Sequence, residues 1–170
     1  MIQHFRMFAA YNAWANGLLY EAAAKLTNQE WREDKGAFFG SMMGTLNHLL
    51  VADRVWMKRF TGEGEAPRTL DAILHPELPA LRTARQVEDA RISRWVGSLT
   101  EKSLSGRFSY TTITDMRTMS QRLAPAMAHF FNHQTHHRGQ AHAILTGLGK
   151  PGVVLDLIYF HRTEEGRPFA

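Results

Sequence analysis

Cysteine is absent from this chain of 170 residues. That absence excludes disulfides, thiolate zinc sites and cysteine nucleophiles together, and it suits a cytoplasmic protein. Proline is scarce at six residues and glycine modest at 13, too few for a fibrous or low-complexity chain. No apolar run approaches the roughly 20 residues that a membrane span needs, so no membrane partner is expected. Met1 to Arg6 carries one basic residue and no apolar block of the secretory kind, so secretion is not expected. An excess of one charge is lacking too: 20 Lys+Arg oppose 16 Asp+Glu for a net +4. The basic residues are scattered, whereas a nucleic-acid binder gathers them on a stripe or arm, so no nucleic-acid partner is expected.

What is present is an ordinary globular composition, 44% hydrophobic and 21% charged. The length suits one domain, residues 1–170, which buries roughly 70% of the surface its unfolded chain exposes. Four long patterns of helical period run through it. The first, about Ile2 to Leu26, carries Phe5, Phe8, Ala9, Ala15, Leu19, Ala23 and Leu26. Thr27 with Glu30 three residues on reads as a capping box for a short second helix. Another long pattern, about Ser41 to Phe60, places Met42, Leu46, Leu49, Leu50, Trp56 and Met57 on one face and stops at Gly62 and Gly64.

After a loop through Pro67, Pro76 and Pro79, a thinner stripe of Leu81, Ala84, Val87, Ile92, Trp95 and Leu99 runs from about Ala80 among many charges. Arg107–Tyr110 and Met116–Met119 flank Thr111 to Asp115 and are expected to form a small hairpin. The last long helix is expected over about Ser120 to Thr146, ending at Gly147 and Gly149 ahead of Pro151. The tail, Val153 to Phe160, is apolar enough to pack back. The fold class is therefore all-α, a four-helix bundle with a small hairpin before the last helix. The connections are long enough for crossovers, so helix order stays open at this point.

The unusual count is histidine: nine, five of them between His129 and His142. At 100° per residue, Leu123, Met127, Phe130, Ala141, Ile144 and Leu145 mark the core-facing arc of the last helix. His137 falls within that arc and His133 at its edge, stacked one turn apart. Two imidazoles at i and i+4 can grip one divalent cation. A metalloprotease is excluded, because the glutamate its HExxH motif requires is replaced by Gln134. Without cysteine, a third ligand must be His, Asp or Glu, and on the earlier helix both His48 and Asp53 are candidates. Asp53 projects onto the centre of the apolar face, where a carboxylate needs a partner such as an arginine, an asparagine or a ligating histidine.

The stretch Asn47-His48-Leu49-Leu50-Val51-Ala52-Asp53-Arg54-Val55-Trp56, followed by His133-Gln134-Thr135-His136-His137-Arg138-Gly139-Gln140, resembles the DinB/YfiT-like superfamily of four-helix bundles. The opening Tyr11-Asn12-Ala13-Trp14-Ala15-Asn16 and the closing Leu155-Asp156-Leu157-Ile158-Tyr159-Phe160 are similar as well, so the likeness spans the chain. The resemblance implies a divalent metal, nickel or zinc, held by His48, His133 and His137. It also implies a homodimer and, in some relatives, transfer of low-molecular-weight thiols.

Three neutral imidazoles leave a metal its full charge and at least one open position, the arrangement of catalytic rather than structural sites. Such a site can activate water or hold a thiolate. With no cysteine in the chain, a thiol has to arrive as a small-molecule substrate. Together with the thiol transfer that the resemblance implies, metal-dependent S-transfer is expected first. The alternatives are a metal-dependent hydrolase and a metal-binding stress-response protein without turnover. Asn12, Asn16, Asp53 and Gln140 are candidates to orient the ligating imidazoles. Arg138 and His136 point away from the pair, toward packing, a dimer surface or a binding rim.

Overall fold

The computed structural model describes residues 1–112 and 115–170. Four long helices dominate: α1 (Ile2–Ala23), α3 (Met42–Thr61), α4 (Leu78–Ser98) and α6 (Leu123–Gly147). Short helices α2 (Asn28–Arg32), α5 (Glu101–Leu104) and α7 (Leu157–Phe160) lie between and after them. Strands β1 (Arg107–Thr111) and β2 (Thr118–Arg122) pair antiparallel, with Arg107 opposite Arg122 and Thr111 opposite Thr118. None of these helices is long and apolar enough to cross a membrane.

Local chemistry sets the boundaries. Thr27 and Glu30 form the expected capping box on α2. Ser41 caps α3 by accepting from the Gly44 amide, and Gly62 ends that helix with φ +76°, a left-handed conformation that costs glycine nothing. The hairpin takes more chain than its sequence suggests. Ser120, Gln121 and Arg122 are strand residues, so α6 starts at Leu123 rather than at Ser120. The ladder gives their backbone groups partners that a first helical turn would leave open. Of the expected turn, Ile113 and Thr114 lie outside the described residues.

Helix α1 packs on α4 and α6, and α3 packs on the same two, so α1 faces α3 across a diagonal. One apolar cluster joins Ile2 and Phe5 to Trp56, Met57, Ile92, Val96, Met127 and Phe130. A second joins Leu19, Leu46, Leu50, Leu81, Ile144 and Leu145. The starts of α1 and α6 thus meet the ends of α3 and α4. The first and last long helices run one way and the middle two the other. Passing from α3 to α4 therefore needs a crossover along the bundle, supplied by residues 62–77.

Between the two apolar clusters lies a layer of buried polar side chains: Asn12, Asn16, Asp53, Arg85, Asp89, Gln134 and Arg138. It corrects the stripe expected on α4. Val87 is 65% exposed, while Arg85 and Asp89 turn inward with Leu81, Ile92 and Val96. The tail packs back as expected: Phe160 is buried against Met7, Tyr11 and Ala15, and Tyr11 donates to the Leu155 carbonyl at 2.6 Å.

Candidate metal centre

His48 sits on the flank of α3 that packs on α6, where His133 and His137 lie one turn apart. The Nε2 atom of His133 is 3.4 Å from that of His48 and 3.1 Å from that of His137. One ligand nitrogen from each of the three lies within 4.8 Å of the others. No other such group of three His, Asp or Glu occurs among the described residues. His48 and His137 are buried, at 3% and 7% exposure, and His133 is half-buried.

Each outer imidazole is oriented from behind. His48 Nδ1 lies 2.8 Å from the Leu70 carbonyl, which can only accept, so the ring hydrogen is on Nδ1. His137 Nδ1 lies 2.8 Å from Gln140 Oε1, whose amide nitrogen faces His136 Nε2 at 3.2 Å. Both rings therefore present a bare Nε2 lone pair to His133. A hydrogen on His133 Nε2 could satisfy only one of them, leaving a second pair of nitrogens facing each other without a proton. Four-coordinate bonding at about 2.0–2.1 Å separates imidazole nitrogens by roughly 3.3 Å. The donor set thus fits a single divalent cation in chemistry and in spacing.

The electrostatics agree. Burial pushes His48 down to about 4 against the opposing pull of the Leu70 carbonyl. His133 is pushed down to about 3, by burial first and then by His137 beside it. Burial lowers His137 too, with the Gln140 hydrogen bond resisting. All three are neutral at pH 7, the form in which an imidazole can bind a metal.

The remaining candidates divide. Gln140 contacts His137 directly, nearer than its place beyond the pair suggested. Asn12, Asn16 and Asp53, expected to orient an imidazole, have other hydrogen-bond partners among the described residues. Asn16 donates to Asp89 at 3.0 Å, and Asn12 accepts from Arg138. Asp53 pairs with Arg85 and accepts from Gln134. Arg138 is 2% exposed, so its role is packing within the polar layer rather than a rim.

Two contacts to His48 escaped the sequence. Phe39 stacks on its ring with centroids 3.7 Å apart and planes 17° from parallel. Leu70, the hydrogen-bond acceptor, lies in the loop after α3. Both belong to irregular segments whose apolar residues carry no periodic signal. Phe39 is positioned by Gly44, where a Cβ would overlap the Phe39 carbonyl oxygen.

A cleft of about 250 Å³ opens beside the triad, walled by His48, His133, Val55, Trp56, Arg59 and Tyr110, with His129 at its rim. A larger cavity of about 1280 Å³ lies along α1, α5 and α6, and none of the three histidines lines it.

The model of the DinB family matches this chain over residues 1–167, and the chain belongs to that family. It is also similar to Protein DinB of Bacillus subtilis (strain 168), 25% identical over 166 residues. That alignment covers 91% of this chain and 94% of the relative.

Proposed function

We propose that this DinB-family chain holds one divalent cation, nickel or zinc, on His48, His133 and His137. In this reading it is a metal-dependent enzyme that takes a low-molecular-weight thiol and transfers it to an electrophile. The observation that carries the proposal is the convergence of three Nε2 lone pairs at 3.1 and 3.4 Å beside an open cleft. Bound there, a divalent cation would keep its full charge and supply Lewis acidity that favours a thiolate at neutral pH.

The chain's own residues do the rest. Leu70 and Gln140 hold the outer imidazoles in the ligating tautomer. Ala52, Val55 and Trp56 give the cleft an apolar wall that limits water. Burial and then the Arg59 charge both lower His129 at the rim, so it stands neutral there and is a weak proton acceptor. In the transfer, sulfur forms a bond to an electrophilic carbon, the leaving group departs with its bonding pair, and the thiol proton passes to solvent. Among the described residues no carboxylate lines the cleft, which favours a thiol nucleophile over water activated by an acidic base. The small-molecule thiol partner, a homodimer and a cytoplasmic setting belong to the same proposal.

The test starts with elemental analysis of untagged protein, expected to find about one divalent ion per chain. Cobalt-substituted protein is then titrated with bacillithiol, mycothiol and glutathione. A sulfur-to-cobalt charge-transfer band with one of them, followed by conjugation to a model electrophile, is the expected result. If none perturbs the spectrum while esters or amides are turned over, the hydrolase reading replaces this one.

A further inference from the structure

Arg59 occupies the last turn of α3 and reaches into the wall of the cleft. Its guanidinium carbon lies 4.7 Å from the centroid of the Trp56 ring and 4.4 Å from that of Tyr110. Those two rings are 5.7 Å apart and inclined at 60°, so they form an aromatic notch around it. Aromatic contacts of this kind occupy the faces of a guanidinium and leave its N–H edges to be satisfied in the plane. Nothing among the described residues satisfies them: Arg59 is in no ion pair or side-chain hydrogen bond there. Three other arginines of α3 and α4 differ. Arg85 has Asp53, and Arg54 and Arg91 share Glu88.

The cleft wall is equally one-sided. Among the described residues that line it, Arg59 is the single charged one, and neither an aspartate nor a glutamate appears. The end of α3 alone would be satisfied by any cation, as Lys58 next to it shows. A planar guanidinium held against two rings in the wall of a cleft that has no acid among its described residues is suited to take a carboxylate through two parallel hydrogen bonds. We infer that Arg59 is the specificity residue of this cleft and that the substrate bound beside the three histidines carries a carboxylate. The inference rests on the proposed function for the identity of the reacting end, but not for recognition of the acid.

The experiment measures binding by calorimetry with defined probes: 3-mercaptopropionate and 6-mercaptohexanoate, each beside its neutral amide, on cobalt-loaded protein. Hexanoate and hexanamide are run on the same sample. In the wild-type protein the acids are expected to bind at least tenfold more tightly than the amides. Arg59→Gln should erase that difference, and Arg59→Lys should restore only part of it, because an ammonium keeps the charge but not the fork. If acids and amides bind wild-type protein alike, the inference is overturned, whatever the variants do. A separate failure is recognisable. Should hexanoate outbind hexanamide through Arg59 while no thiol shifts the cobalt spectrum, the carboxylate site stands and thiol transfer falls.

Discussion

Arg85 Nη1 lies 2.6 Å from Asp53 Oδ2 at the middle of the bundle, and both side chains are withdrawn from solvent. The pair ties α4 to α3. Arg85 Nη2 also reaches Asp89 at 3.1 Å, and Asp89 accepts from Asn16 of α1. Burial drives Asp53 up to about 7 while Arg85 pulls it down. The layer works only as a whole, since each buried charge depends on its neighbour.

Asp53→Ala should therefore destabilise the protein by about 3–5 kcal/mol, the range for stranding a buried charge. Asp53→Ala combined with Arg85→Met removes both charges but leaves Asp89 without its arginine, so it should recover only part of that loss. Urea unfolding of the two single variants and the double variant checks this. A single variant within about 0.5 kcal/mol of wild type would show that the pair is not an energetic unit. Metal stoichiometry should be unchanged throughout, because among the described residues Asp53 hydrogen-bonds and ion-pairs with no imidazole.

The same layer shows where sequence reading stopped. Three of the long helices were legible because Leu, Met, Phe and Trp repeat on one face of each, and His133 and His137 share a face by arithmetic alone. His48 needed a family likeness, since no local rule says which residue of one helix meets another. The face of α4 was misplaced because Arg85 and Asp89 look like solvated charges until their partners on α1 and α3 are known. Phe39 and Leu70 lie in loops, where neither period applies.

Metal content gives the second prediction. His133→Ala and His137→Ala should each abolish stoichiometric binding. His142→Ala should leave it intact, since that ring rests against Gly152 rather than in the triad. A cation that binds only the folded chain adds about 4 kcal/mol at a thousandfold excess over Kd. Chelation should then lower the melting temperature while the helical circular dichroism at 25 °C persists, because two apolar clusters remain. Loss of that signal on chelation would mean that the cation holds the fold together.

Gly44 supports His48 at one remove. A methyl group there would meet the Phe39 carbonyl oxygen, so Gly44→Ala must displace the backbone that lays Phe39 on the imidazole. Gln140→Ala removes the acceptor on His137 Nδ1 directly. Both variants should weaken metal binding, Gln140→Ala by about 10- to 100-fold, as losing a partner behind a ligand commonly does. Competition against a chromogenic chelator reads both. Unchanged affinity in Gln140→Ala would show that the ring needs no such support.

Proton linkage gives the last prediction, for the chelated chain. Burial pushes His48 down to about 4 and His133 down to about 3 in the folded chain, below the ordinary imidazole value of 6.5, and lowers His137 too. As pH falls below about 6.5, the unfolded chain therefore takes up protons that the folded chain refuses. The stability these neutral imidazoles contribute is present above that pH. It is lost progressively as pH drops from about 6.5 toward the folded values. Denaturant midpoints from pH 7.5 to 4.5 should decline for the wild-type chain and more gently for His133→Phe, which has one imidazole fewer to protonate. A variant whose midpoint falls as steeply as wild type would place the acid sensitivity elsewhere in the bundle. Adding the divalent cation back should oppose the decline at its upper end, because a ligand that needs unprotonated nitrogens competes with the protons for them.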